Sequence, residues 1–145
     1  SRRRQRQMCI RDSSFTILPA LEGVAHRKPL RPFTIHHSIN GSFAIRRGPW
    51  KLILCPGSGG WSAPRPAQAL RNKELPPVQL FNLADDPGEQ TNLSAKEPQR
   101  VQELVAQLAT AIRNGRTNPG PKQSNEGWPA TFHNRVLSAF PELRN

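Results

Sequence analysis

The chain has 145 residues, 35% of them hydrophobic, with ten glycines and fifteen prolines, a composition that suits one modest domain of short elements and leaves little for a second core. No apolar run approaches the roughly 20 residues of a membrane span, and no apolar h-region is visible near the start. The formal charge of +11 invites a polyanionic partner such as nucleic acid, provided that the charges belong to the folded protein.

The opening stretch SRRRQRQMCIRDS bears on that proviso. Its part from Arg3 to Ser13 resembles, codon for codon, the conceptual translation of a transposase-based sequencing-library adapter, so residues 1–13 are expected to be an adapter-derived, disordered segment outside the fold. Of 21 basic and 10 acidic residues it removes five arginines and one aspartate, leaving 16 and nine and a net charge of +7. Cys9 goes with it. Cys55 then stands as the one thiol of the fold, and no disulfide is expected. The chain is expected to be the back end of a longer protein.

From Ser14 onward the elements follow in order. Phe15, Ile17, Leu18 and Leu21 have partly helical spacing, and Gly23 is a natural stop, which predicts a short helix. His26 to Pro32 reads as a connector. Asn40-Gly41 between Pro32–Ile39 and Ser42–Arg47 predicts a β-hairpin with a type I′ turn, because that turn needs positive φ at both central residues. Gly48-Pro49 turns the chain into a third strand over Trp50–Cys55, with Trp50, Leu52 and Leu54 on one face and Lys51, Ile53 and Cys55 on the other. Pro56 to Lys73 reads as one long Gly/Pro-rich loop. Val78 to Leu83 is a fourth strand, ended by the turn Asp85-Asp86-Pro87-Gly88.

One long helix follows. Val101, Leu104, Val105, Leu108 and Ile112 recur at helical spacing, Pro98 suits the first turn, and Gly115 suits the residue just past the end. Ser94-Ala95-Lys96-Glu97 also spells a capping box, but Pro98 disfavours a helical Glu97, so the start is placed at Pro98. Thr117 to Gly127 is irregular, and 128–145 is a tail whose Trp128, Phe132, Val136, Leu137 and Phe140 are able to dock. The fold class is α+β: a small four-stranded antiparallel sheet packed against one long C-terminal helix.

No set of residues makes a complete active site. Adjacent strand residues point to opposite faces, so His36 and His37 do not readily grip one metal ion, and no carboxylate or cysteine lies at ligand spacing. Cys55-Pro56-Gly57-Ser58-Gly59 lacks the ending of a phosphate-binding loop and reads as a strand running into a mobile loop. Asp85, Asp86 and Glu89 concentrate carboxylates at a turn without the register of an EF-hand, leaving calcium there a minor alternative. Arg46, Arg47 and Lys51 beside Trp50 and Trp61 read either as a basic, aromatic surface for anions or sugars or as a solvated sheet face.

Taken in order, HHSINGSFAIRRGPWKLILCPGSGGW, LPPVQLFNLADDPGEQTNL, the helix and GRTNPGPKQ resemble the C-terminal portion of formylglycine-dependent sulfatases, arylsulfatase-like members of the alkaline-phosphatase superfamily. The resemblance implies a sulfatase C-terminal subdomain over 14–127 with the 128–145 tail beyond it. It also implies a separate N-terminal catalytic domain that carries the formylglycine, the calcium ligands and the catalytic side chains. No catalytic residue and no metal ligand maps onto this chain; Cys55 does not qualify, since Pro56 falls one position early for the formylglycine motif and no arginine follows. By position in the family, His36, His37, Asn40 and Trp61 are expected at the rim of the substrate pocket. The substrate would be a sulfated small molecule or carbohydrate, the setting periplasmic or secreted, and no membrane is involved. The competing reading, a small basic nucleic-acid-binding module, requires the arginine arm to be genuine.

Overall fold

The computed structural model describes residues 15–23, 29–124 and 134–144. Residues 1–13, with Cys9 and the arginine arm, lie outside them, as do Trp128 and Phe132. The elements are helix α1 (Leu18–Leu21), strands β1 (Thr34–His37), β2 (Phe43–Arg47) and β3 (Trp50–Ile53), helix α2 (Pro66–Arg71), strand β4 (Gln79–Asn82), helix α3 (Pro98–Asn114), helix α4 (Asn134–Ala139) and a closing 3-10 turn (Pro141–Arg144). The four strands form an antiparallel sheet in the order β1-β2-β3-β4, as the sequence pattern predicts. Among the described residues no helix is long and apolar enough to cross a membrane.

Helix α3 is the other layer. Its Val101, Leu104, Val105, Leu108 and Ile112 are buried against Phe43, Ile45, Leu52, Leu54 and Leu80 of the sheet. The predicted bounds hold because the chemistry at both ends is strong. Pro98 opens the first turn, and Gly115 adopts the left-handed conformation at φ 63°, while the Arg116 N–H reaches back to the carbonyl of Ala111 and closes the last turn in a Schellman arrangement. The alternative capping box does not form: Glu97 is the N-cap and its side chain caps nothing.

Three expectations change. The β1–β2 connection is not a type I′ turn. His37 pairs with Phe43, the Gly41 N–H donates to the Ser38 carbonyl, and positive φ occurs at Gly41 (82°) but not at Asn40. This is a three-residue loop, a type I turn followed by a left-handed glycine. The side chains explain the choice: Asn40 Oδ1 and Ser38 Oγ both accept the Ser42 N–H, and the Ser38 hydroxyl also donates to Asn40 Oδ1. Those bonds hold Asn40 on the ordinary side of φ and shift the pairing by one residue, which decides the face on which every side chain of β1 lies. The long 56–73 loop contains α2, begun by Pro66 and by Gln68, whose side chain accepts the Arg65 N–H. The third strand ends at Ile53, two residues early, where the chain bends.

The tail is built into the same core. Val136, Phe140 and Leu143 belong to the cluster around α3 and the sheet, with Leu137 packed against it. The Arg135 guanidinium donates to the carbonyls of Asn72, Lys73 and Leu75, tying α4 to the approach to β4. The outer edge of β4 is also satisfied. Asn92 Oδ1 accepts the Leu80 N–H, Asn92 Nδ2 donates to the Val78 carbonyl, and the Leu93 N–H donates to Leu80, so the segment after the turn mimics a fifth strand.

Two predictions follow from this packing. Leu108 is fully buried at the helix–sheet contact; Leu108→Ala is expected to lower unfolding stability by about 2–5 kcal/mol in a urea titration, whereas exposed Gln102→Ala changes it by less than about 0.5 kcal/mol. Asp86 accepts the Gln90 and Thr91 N–H groups, and these bonds hold its carboxyl below the ordinary value. A depressed folded-state value stabilises the fold above the unfolded value and ceases to do so as pH falls through the folded one. Thermal melts from pH 6 to about pH 2 are therefore expected to lose stability at the acid end, and Asp86→Asn to flatten that part of the profile.

Candidate functional site

Alternation along the strands assigns each candidate to a face. Burying Ile45, Leu52 and Leu80 against α3 leaves His36, Ala44, Arg46, Lys51 and Ile53 on the opposite face, where pairing sets His36 across from Ala44, Ala44 from Ile53, and Arg46 from Lys51. Lys51 Nζ pairs with Glu89 at 2.6 Å, both side chains about a quarter to a third exposed (25% and 31%). Such a half-buried pair stabilises modestly and mainly fixes where the turn after β4 lies against the sheet.

The chain leaving β3 folds over part of this face instead of running free. Gln79 Nε2 donates to the carbonyls of Cys55 (2.9 Å) and Gly57 (2.8 Å), and the Cys55 thiol donates to the Gly57 carbonyl. Gly59, at φ 65°, lies so close to the hairpin turn that a Cβ there would sit 3.2 Å from the Ser38 side chain and from the Cys55 sulfur. The 55–61 segment is thus pressed onto the 38–41 turn, and the mobile loop of the sequence reading is in fact tied down.

Two hollows result. The first, about 380 Å³, lies on the open sheet face and is bordered by His36, His37, Arg46, Lys51, Ser58 and Glu89. The second, about 450 Å³, lies on the other side of the hairpin turn, between Ile39 and Asn40 on one wall and Trp61, Arg65 and Pro66 on the other. Of the four rim residues expected from the sequence, Asn40 and Trp61 share the second hollow; His36 and His37 both border the first, but alternation turns His37 to the helix side, where it also lines a hollow with Ile35 and Ile112. His37 also packs against Phe43, with ring centroids 3.8 Å apart. Trp61 is 83% exposed and Ile39 70% exposed.

Sequence reasoning missed Arg65, which lines the same hollow as Trp61, with Ile39 and Asn40 across from it. Its one local signal is a cation four residues after a tryptophan in a proline-rich stretch. The basic, aromatic cluster of Arg46, Arg47 and Lys51 with Trp50 and Trp61 does not assemble. Trp50 and Lys51 point to opposite faces, and Trp50 is covered by the Arg100 guanidinium of α3, 4.2 Å from its ring centre.

Burial pushes the Cys55 thiol above its ordinary value, which disfavours the thiolate a nucleophile would need. The carboxylates of the β4 turn are turned to separate tasks: Asp85 accepts the Asn82 amide, Asp86 accepts backbone N–H groups, and Glu89 pairs with Lys51. Among the described residues no group of three or more His, Cys, Asp or Glu is placed to hold a metal ion.

Comparison with known proteins follows the same lines. The family model for the C-terminal region of aryl-sulfatase matches residues 29–138, which take in the whole sheet, α2, α3 and most of α4. Among solved structures, a chain described as "Metabolism of multiple glycosaminoglycans by Bacteroides thetaiotaomicron is orchestrated by a versatile core genetic locus (BT33336S-sulf)" is similar at 28% identity and a TM-score of 0.50. That alignment covers 68% of this chain and 19% of the other, so the sequence here spans about a fifth of the length of that protein. With the sheet, its single long helix and the matched span in agreement, this chain belongs to the family of aryl-sulfatase C-terminal regions.

Proposed function

We propose that the chain is the C-terminal portion of a sulfatase that hydrolyses sulfate esters, and that its part in the whole enzyme is to complete the fold and form one side of the substrate pocket. The observation that carries this reading is the family match over 29–138, a span that holds the four-stranded sheet and the long helix α3. Calcium and formylglycine belong, in this proposal, to an N-terminal catalytic domain, where they would supply metal-assisted electrostatic stabilisation and the attacking group. The residues of this chain bind and orient. His36, His37, Asn40 and Trp61 face solvent around the hairpin turn, on surfaces where Arg46 and Arg65 add positive charge. An excess of cations draws an anionic ester toward such a surface and raises its local concentration. A carbohydrate or other small sulfate ester in a periplasmic or secreted setting is the substrate class this charge suits.

Release of 4-nitrophenol from 4-nitrophenyl sulfate tests the proposal. The 145-residue chain is expected to release none, and a protein extended upstream through a formylglycine consensus is expected to release it, with 4-nitrophenyl phosphate left intact. Turnover by the chain alone, or an extended protein that cleaves only the phosphate, would overturn it.

A further inference from the structure

The hollow between the hairpin turn and the 57–66 segment carries a more specific reading, which rests on the sulfatase assignment and names the kind of substrate group held there. Trp61 presents an indole that is 83% exposed, a large apolar ring with one polar N–H open to an outside partner. Ile39, 70% exposed, flanks it across the hollow, and Gly60 leaves the approach open. Two polar groups converge on this apolar platform. The Arg65 guanidinium makes no ion pair among the described residues, and no acidic residue borders the hollow. Asn40 is oriented by the turn: its Oδ1 is engaged by Ser38 and Ser42, so its Nδ2 donors are left for an outside acceptor.

An apolar, concave floor with a few convergent polar groups is the common form of a small-ligand site. The chemistry selects the ligand. A flat indole packs on the C–H face of a pyranose ring, an amide donates to a ring hydroxyl, and a planar guanidinium with several N–H donors matches an oxyanion substituent. From these features we infer that Trp61, Arg65 and Asn40 form a binding subsite for a sulfated pyranose, with Trp61 as the stacking platform, Arg65 on the sulfate and Asn40 on a hydroxyl. Occupation by a sugar ring accounts at once for the exposed tryptophan and for the cation beside it.

The test uses the full chain and the three tryptophan indole N–H signals in NMR. A chondroitin 6-sulfate tetrasaccharide is titrated in, with its desulfated counterpart and inorganic sulfate as separate arms. The Trp61 signal is expected to shift on saturation with the sulfated sugar while the Trp50 signal stays in place. Trp61→Ala, with the Trp50 signal unchanged as proof of folding, is expected to weaken binding in calorimetry at least about tenfold. Arg65→Gln is expected to abolish the preference for the sulfated over the desulfated sugar. The inference is overturned by a sugar that leaves the Trp61 signal unmoved, by undiminished affinity in Trp61→Ala, or by inorganic sulfate competing as well as the tetrasaccharide. These results are independent of sulfate release, so this subsite and the sulfatase reading fail separately.

Discussion

Everything in this molecule depends on one contact: the apolar stripe of α3 laid on one face of a four-stranded sheet. Ile45, Leu52 and Leu80 from the sheet and Val105 and Leu108 from the helix are wholly withdrawn from water. Burying such side chains is worth about 1.5–3 kcal/mol each before chain entropy is subtracted, which makes this contact the main opposition to unfolding. The consequence reaches beyond stability. Because side chains alternate along a strand, committing one set to the core commits the other set, His36, Ala44, Arg46, Lys51 and Ile53, to the open face. A one-residue slip would exchange the two sets, so the helix contact also places the candidate binding residues.

Hydrogen bonds and charges then shape what the core has positioned. Gln79 reaches from β4 to the carbonyls of Cys55 and Gly57, and Gly59 lets the following segment press on the hairpin turn. Asn92 and Leu93 occupy the outer edge of β4 and so protect it from pairing with another chain. Arg100 covers Trp50 on the helix side, while Lys51 and Glu89 hold the β4 turn on the other. None of these contributes as much as the core. Together they convert a plain two-layer unit into one with two hollows that meet at a single turn, and the aryl-sulfatase family match gives that geometry its context.

Much of this was legible in the sequence, for physical reasons that differ by element. The bounds of α3 were readable because helical periodicity, a first-turn proline and a left-handed glycine all report on the same seventeen residues. The hairpin was readable from Asn40-Gly41, but its turn type was not, since the Ser38 hydroxyl and the Asn40 amide choose it through side-chain bonds to the backbone. Helix α2 left almost no trace, because only Ala69 of its six residues is buried. Of the site, Asn40 and Trp61 were named in advance, twenty-one positions apart. Their meeting across one hollow was not, because the segment that carries Trp61 and Arg65 reaches the hairpin turn through a close approach between Gly59 and Ser38 that no local pattern encodes.

Native-state amide hydrogen exchange tests the central claim most directly, since it resolves the opening free energy of each buried amide. If the α3–sheet contact is the single core, the amides of Ile45, Leu52 and Leu80 in the strands and of Val105 and Leu108 in the helix will all exchange through one global opening, with a common free energy and a common dependence on denaturant. If the helix amides exchange through a separate, lower-energy opening while the strand amides stay protected, the sheet stands without its helix and the account is wrong.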